Sequence, residues 1–262
     1  MSYLLINGTN YYFEQKGQGP ALVLIAGYSC DLHFWDRIIE NLTSKFKVVI
    51  FDNRGIGQTK DNGLPFRLEE LADDIAEMIK VLKLQSPILV GHSMGGIIAQ
   101  IIAQKFTPLI AGLVSLNCAN KVNLRTLLAL KGFIKLLQEN AHVTTVIEAS
   151  LPWFYSSAFL QDPENIHAII QGILNNAYPQ SLLDLNRQFN AVQTFDSSPF
   201  TSFINVPAKI VASRSDIICT PDETRELISR FPNANFDLIE GGHSSPVENP
   251  NAVSKAILDF IA

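Results

Sequence analysis

The segment ILVGHSMGGIIAQII, residues 88–102, joins a short apolar run, a glycine-rich turn and a second apolar stretch. Residues 88–90 are typical of a strand that is buried on both faces of a parallel sheet, because such strands are rich in Val, Ile and Leu. The isoleucines at positions 97, 98, 101 and 102 recur at helical spacing. Between strand and helix lies Gly-His-Ser-Met-Gly, so the segment predicts a serine at a sharp strand-to-helix turn.

Such a turn suits a nucleophile. Turning from strand to helix at a single residue strains that residue and points the Ser93 side chain outward. Gly91 and Gly95 leave room where the two backbones approach each other. The amides that follow lie at a helix N-terminus, where partial positive charge stabilises an oxyanion. The competing interpretation is a glycine-rich turn in which the serine has only the structural role of a cap.

A serine nucleophile needs a base, and the chain holds five histidines. His243 stands in the loop GGHSSP after the last predicted strand. Because ligands bind at the carboxyl ends of parallel strands, Ser93 and His243 should lie at the same edge of the sheet. His92 adjoins the nucleophile, but its side chain should point away from that of Ser93. His243 is therefore the predicted base, and the remaining histidines, in other contexts, are His33, His142 and His167.

An orienting carboxylate completes this chemistry. Asp216 follows the predicted strand at residues 208–212 and again lies in a loop at a strand carboxyl end. The chain order Ser93, Asp216, His243 is the order expected for this type of triad. The competing acids lie in a helical segment, in a first helical turn or inside a strand, and they are Asp162, Asp184, Asp196, Asp222 and Asp237.

The oxyanion requires a second backbone donor, from another strand end. Gly27 follows the predicted strand at residues 21–26 and lets the backbone come close. The amides of Tyr28 and Met94 are therefore the predicted oxyanion donors.

Strands and helices alternate along most of the chain, which predicts an α/β fold with a mostly parallel sheet. The alternation fails over residues 119–199, where only helical patterns occur. We therefore expect a core domain of residues 1–118 and 200–262 and a helical insertion of residues 119–199. The predicted strands are residues 3–6, 10–14, 21–26, 48–51, 88–90, 113–116, 208–212 and 235–239. Outside the insertion, helices are predicted at residues 68–82, after residue 93, and at residues 221–230 and 251–261.

Composition excludes several classes of protein. The 262 residues carry a net charge of −5, which leaves no broad basic surface for nucleic acid. The cysteines Cys30, Cys118 and Cys219 form no paired motif, so neither a disulfide framework nor a structural zinc site is expected. No metal or nucleotide-cofactor motif is present, so we expect no cofactor. Without a signal or spanning segment, the expectation is a soluble, cytoplasmic protein that acts on a small molecule.

Taken together, the motifs resemble the α/β-hydrolase fold family, in its serine-nucleophile branch of carboxylesterases and enol-lactonases. DNRGIG at residues 52–57 is similar to the family's turn after the fourth strand, and residues 91–96 are similar to its nucleophile elbow. SRSD at residues 213–216 and the Gly242-His243 pair resemble its acid and histidine loops. The resemblance implies an eight-stranded, mostly parallel sheet flanked by helices, with a helical cap inserted after strand six. Many relatives have His-Gly where this chain has Ala26-Gly27.

These observations predict a serine hydrolase that cleaves a carboxylic ester, a thioester or a lactone through an acyl-enzyme. Aromatic residues of the insertion either pack it onto the core or line an apolar acyl pocket, with Trp153 and Phe154 as candidates. A small, uncharged acyl group is expected. The same triad also suits hydrolysis of a C–C bond in a diketone, and a hydrolase-like fold can serve as a non-catalytic receptor. The motifs do not distinguish these alternatives, and they leave the oligomeric state open.

Overall fold

A computed structural model describes residues 2–261, and its centre is one eight-stranded sheet. The predicted α/β fold with a mostly parallel sheet is confirmed. The strands are β1 (Ser2–Ile6), β2 (Thr9–Lys16), β3 (Ala21–Ile25), β4 (Lys47–Phe51), β5 (Ile88–His92), β6 (Gly112–Leu116), β7 (Ala208–Ser213) and β8 (Ala234–Ile239).

The strand order is β1-β2-β4-β3-β5-β6-β7-β8. β1 pairs antiparallel with β2, and β2 pairs antiparallel with β4. The hairpin between β1 and β2 turns at Asn7 and Gly8, which both adopt positive φ angles. From β4 to β8 all neighbouring strands are parallel, so their carboxyl ends meet at one edge of the sheet.

Helices connect the parallel strands and cover both faces of the sheet. In the described residues, no helix has the length and apolar character needed to span a membrane. The helices are α1 (Asp36–Thr43), α2 (Leu68–Val81), α3 (Met94–Lys105), α4 (Leu124–Gln138), α5 (Val143–Phe154), α6 (Ser157–Leu160), α7 (Pro163–Leu174), α8 (Leu182–Gln193), α9 (Pro221–Ile228), α10 (Ser245–Glu248) and α11 (Pro250–Ile261).

The core consists of two large apolar layers, one on each face of the sheet. Alternate residues of a strand belong to opposite layers: Val23 packs with α2 and α3, whereas Leu24 packs with α1 and α11. Both side chains are almost fully buried. Burial on both faces explains why these strands read as unbroken apolar runs in the sequence.

Five helices, α4 to α8, lie between β6 and β7, in the segment predicted as a helical insertion. Helix α8 is fastened to the sheet domain. The buried Gln188 side chain accepts from the Ser29 amide and donates to the Arg54 carbonyl. Arg187 forms a buried ion pair with Asp61. The division at residues 119 and 199, and a role of these helices as a cap, remain predictions.

Candidate active site

Ser93 forms the sharp turn between β5 and α3. Its backbone angles, φ 52° and ψ −118°, lie in a region that non-glycine residues rarely adopt. The flanking glycines are needed for packing. A Cβ atom on Gly91 would lie 2.3 Å from the carbonyl oxygen of Gly95, and one on Gly95 would lie 1.9 Å from that of Ile25. The turn therefore accepts no side chain at either position.

Replacing Gly95 with alanine should destabilise the protein by about 3 kcal/mol or more, because the contact is with backbone that cannot swing aside. Gly132, in the middle of α4, is the matched control, since a Cβ there meets nothing within 4 Å. Gly132→Ala should stabilise the protein by about 0.5–1 kcal/mol. Denaturant-induced unfolding measures both. Equal effects of the two substitutions would contradict the packing that we describe for the turn.

The structure brings the three predicted catalytic side chains together at the edge formed by the strand carboxyl ends. Ser93 Oγ lies 3.0 Å from His243 Nε2, and His243 Nδ1 lies 2.9 Å from Asp216 Oδ2. An ionised carboxylate only accepts hydrogen bonds, so Nδ1 carries the proton and Nε2 is free to accept from the serine hydroxyl. Asp216 and His243 are almost completely buried, whereas Ser93 is partly exposed.

Four donors hold the Asp216 carboxylate. Its Oδ1 accepts from the amides of Ile218 and Cys219 at 2.8 and 2.9 Å. Its Oδ2 accepts from His243 and, at 2.9 Å, from Asn117 Nδ2. Asn117 was not among the predicted site residues, although its place directly after β6 was a usable signal. Both oxygens of the acid are thus fixed, and with them the orientation of the imidazole.

His92 supports the loop that carries His243. Its Nε2 lies 2.8 Å from the His243 carbonyl oxygen, to which it donates. Burial lowers the pKa of His92 to about 3, so the ring is neutral at physiological pH. The group beside Ser93 Oγ is the His243 ring. His92 bonds instead to the backbone of His243, the predicted base.

The two predicted oxyanion donors have amides free for a ligand. In the part of the chain that the structure describes, neither the Tyr28 amide nor the Met94 amide donates to a protein acceptor. The loop after β3 passes close to Ser93, since a Cβ on Gly27 would lie 3.3 Å from Ser93 Cβ. The same atom would lie 2.9 Å from His92 Nδ1, so the loop needs glycine at this position.

A largely apolar cavity opens above Ser93. The free space between its walls, counted out into the open mouth, is about 620 Å³. Phe154 is part of its wall. Trp153 instead packs outside the wall, against the side chains of Ala119, Ile218 and Cys219. Residues of the predicted insertion that line the cavity are Ala119, Lys121, Val122, Thr126, Leu130, Phe154 and Val192.

All three cysteines, Cys30, Cys118 and Cys219, are free thiols and line the cavity. Burial raises the pKa of Cys30 and of Cys118 to about 12, and it raises the pKa of Cys219 well above its usual value. Because the thiolate is the reactive form, these thiols add apolar surface to the cavity and no second nucleophile.

The competing histidines and aspartates lie elsewhere. His33 is exposed and pairs with Asp36. Asp162 caps the N-terminus of α7, and Asp184 binds Arg187. The remaining ones have structural or surface positions: His142 precedes α5, His167 lies within α7, Asp196 faces Lys121, Asp222 is in the first turn of α9, and Asp237 pairs with Lys209.

Comparison with known proteins agrees with this architecture. The family model of the alpha/beta hydrolase fold matches residues 20–250. A crystal structure of the enol-lactonase from Burkholderia xenovorans has a TM-score of 0.89 to this chain, with 22% identity and 99% of both chains covered. At that identity, the likeness shows the fold.

Sequence relatives span nearly the whole chain. The protein named "Putative carbamate hydrolase RutD" of Stutzerimonas stutzeri is 25% identical over 263 residues, which is 96% of each chain. The 3-oxoadipate enol-lactonase 2 of Acinetobacter baylyi is 24% identical over 249 residues, covering 95% of this chain and 91% of the lactonase. Because the family model matches well over half of the sequence, this chain belongs to the α/β hydrolase fold family.

Proposed function

We propose that the protein is a serine hydrolase that cleaves a small carboxylic ester, thioester or lactone through an acyl-enzyme. The observation that carries the proposal is the continuous line of hydrogen bonds from Ser93 through His243 to Asp216 at the base of an apolar cavity. A serine hydroxyl is a weak nucleophile by itself, and this arrangement supplies its base.

In the proposed reaction His243 removes the proton of Ser93 as Ser93 Oγ attacks the substrate carbonyl. Asp216 stabilises the imidazolium that forms and keeps Nε2 directed at the serine. The protonated imidazole then gives its proton to the leaving oxygen or sulfur, and the acyl group stays on Ser93. Water enters, His243 takes its proton, and the attack of this water on the acyl carbon releases the acid and restores Ser93.

Negative charge develops on the substrate carbonyl oxygen in both steps. The free amides of Tyr28 and Met94 are the proposed donors to this oxygen. Met94 is the first residue of α3, so the partial positive charge of the helix N-terminus adds to its effect. Losing one such donor typically costs about 3 kcal/mol in the activation barrier.

The cavity supports an apolar acyl group. Apart from the catalytic histidine and its buried neighbour His92, the titratable side chains in its wall are three neutral thiols, Tyr28 and the ammonium of Lys121. Lys121 is exposed and lies 3.9 Å from Asp196. Relatives named as a carbamate hydrolase and an enol-lactonase suit acyl-transfer chemistry. We infer an uncharged substrate of short to medium acyl length.

Helices α4, α5 and α8 each contribute side chains to the cavity wall, which supports a role of the inserted segment as a cap. Residues 119–199 would then determine how a substrate reaches Ser93 and how long an acyl chain fits. Residues 1–118 and 200–262 would carry the three catalytic side chains and both oxyanion donors. In this division the core performs the reaction and the cap selects the substrate.

Hydrolysis of p-nitrophenyl esters with increasing acyl length tests the proposal. We expect turnover of the short and medium acyl esters and a decline with long chains, because the cavity has a limited volume. A small γ-lactone should also be opened. An ester whose acyl chain ends in two carboxylates should be a poorer substrate. The described wall offers its two negative charges a single lysine, Lys121, and otherwise mostly apolar surface.

No turnover of any ester, thioester or lactone by folded protein would contradict the proposal. Cleavage of a diketone in its place would favour C–C bond hydrolysis by the same triad. Tight binding of such compounds without turnover would favour a receptor. Equal or better turnover of the dicarboxylate ester would contradict the inferred substrate class alone.

A further inference from the structure

The loop that carries His243 is held by contacts on both sides of that residue. On one side, the Gly242 amide donates to Glu248 Oε1 at 2.8 Å. On the other, the Ser244 amide donates to the carbonyl oxygen of Phe154 at 2.9 Å. Phe154 ends helix α5, in the segment predicted as the cap. The backbone of the catalytic loop is thus bonded directly to that segment.

Glu248 joins the same two segments through its side chain. Its carboxylate accepts from the Ser156 amide at 3.1 Å and from the Ser156 hydroxyl at 2.6 Å, in addition to the Gly242 amide. Ser156 lies between α5 and α6. The carboxylate therefore bridges the junction of those two helices and the residue that precedes His243.

The contact is close-packed. A Cβ on Gly242 would lie 2.6 Å from the Ser156 nitrogen and 2.7 Å from Glu248 Oε1. In the described chain no lysine or arginine forms an ion pair with Glu248, so its partners are neutral donors. Charged acceptors make hydrogen bonds roughly twice as strong as neutral ones, so loss of the charge should loosen the whole contact.

We propose that Glu248 is a positioning residue that fastens the His243 loop to the junction of α5 and α6. It touches neither Ser93 nor the Asp216 carboxylate, and it acts through the backbone of Gly242. The placement of the catalytic imidazole then depends on the cap being docked. This inference rests on the proposed role of His243 as the catalytic base.

Glu248→Gln is the test variant. Glutamine has the size of glutamate, but it offers one acceptor oxygen and turns an N–H group toward the amide of either Gly242 or Ser156. A small displacement of a catalytic group lowers the reaction rate strongly, so we expect kcat to fall between about tenfold and a hundredfold. KM should change by less than about threefold, because no substrate contact is removed.

A second measurement needs no turnover. The His243 Nδ1 proton, bonded to Asp216, is followed by proton NMR in histidine-labelled protein and assigned by its loss in His243→Ala. In Glu248→Gln this proton should exchange with water faster than in the wild type. A wild type that turns over no substrate would overturn the proposed function, whereas this proton would still test the role of Glu248.

Two further variants keep the test specific. Glu226→Gln changes an exposed carboxylate on α9 that pairs with Arg230, and it should leave kcat and proton exchange unchanged. Ser156→Ala removes the hydroxyl on the cap side alone and should lower kcat in the same direction, but less. It also covers the case in which Glu248→Gln does not fold.

Wild-type kcat and wild-type proton exchange in folded Glu248→Gln would overturn the proposal. So would a Glu248→Gln variant with reduced kcat beside a Ser156→Ala variant identical to the wild type, because the shortest bond of Glu248 on the cap side, to the Ser156 hydroxyl, would then contribute nothing. Loss of stability with unchanged kcat per folded molecule would likewise show a role in folding alone.

Discussion

Ser93→Ala should lower kcat for a short-chain ester by about 10⁴-fold or more, the loss that removal of a triad nucleophile produces in other serine hydrolases. The substitution removes one oxygen, and with it the atom that lies 3.0 Å from His243 Nε2. Without that oxygen the proposed acyl-enzyme should not form. Steady-state hydrolysis of a p-nitrophenyl ester measures the effect, and thermal unfolding verifies that the variant is folded.

Ser157→Ala is the matched control, because Ser157 is exposed in α6 and lies outside the cavity wall. It should retain wild-type turnover. If the Ser93 variant kept more than a small fraction of its activity in a preparation free of contaminating esterase, the nucleophile would have to be another group.

Asp216→Asn should lower kcat by about 10⁴-fold, as the equivalent change does in other serine triads. In the variant an NH2 group, which only donates, takes the position of Asp216 Oδ2, so a protonated His243 Nδ1 has no acceptor there. The imidazole then presents the wrong nitrogen protonated toward Ser93. Stability should change little by comparison, since the remaining oxygen still accepts from the Ile218 and Cys219 amides.

Asp222→Asn, at an exposed carboxylate in the first turn of α9, is the control for this second prediction and should behave as the wild type. Retention of full activity by folded Asp216→Asn would mean that a different carboxylate orients the base. Comparison of the two variants shows whether the loss of activity is specific to Asp216 or also follows from removing a nearby negative charge at Asp222.

Much of the sheet could be predicted from the sequence because its strands are buried on both faces. Residues 48–51 and 113–116 stand out as apolar runs, and each lies within the strand observed there, β4 and β6. The ends were less accurate. Strand β5 continues through Gly91 and His92, which the apolar run does not include, because both still pair with β6.

One helix continues through a residue type that usually ends helices. A proline interior to a helix removes one backbone hydrogen bond. Helix α5 nevertheless continues through Pro152 to Phe154. Tertiary contacts hold this last turn, since the Phe154 carbonyl accepts from Ser244 and the following Ser156 binds Glu248. Propensity alone contains no information on such distant partners.

The three side chains predicted to act together could be found because each follows a strand at the same edge of the sheet. The residues that support them were missed. Asn117 and Glu248 carry no motif of their own, and their roles depend on partners distant in the chain. Glu248 in particular meets Ser156, 92 positions away. Residue type and spacing indicate which groups would react, but only the structure shows what holds them in place.

Covalent trapping decides whether Ser93 is the nucleophile. The folded protein is treated with a fluorophosphonate, and the adduct is located by mass spectrometry of its peptides. We predict one adduct per chain, on Ser93, which is absent in Ser93→Ala and greatly slowed in Asp216→Asn. Absence of an adduct from folded wild-type protein, or an adduct on another residue, would mean that Ser93 is not the nucleophile.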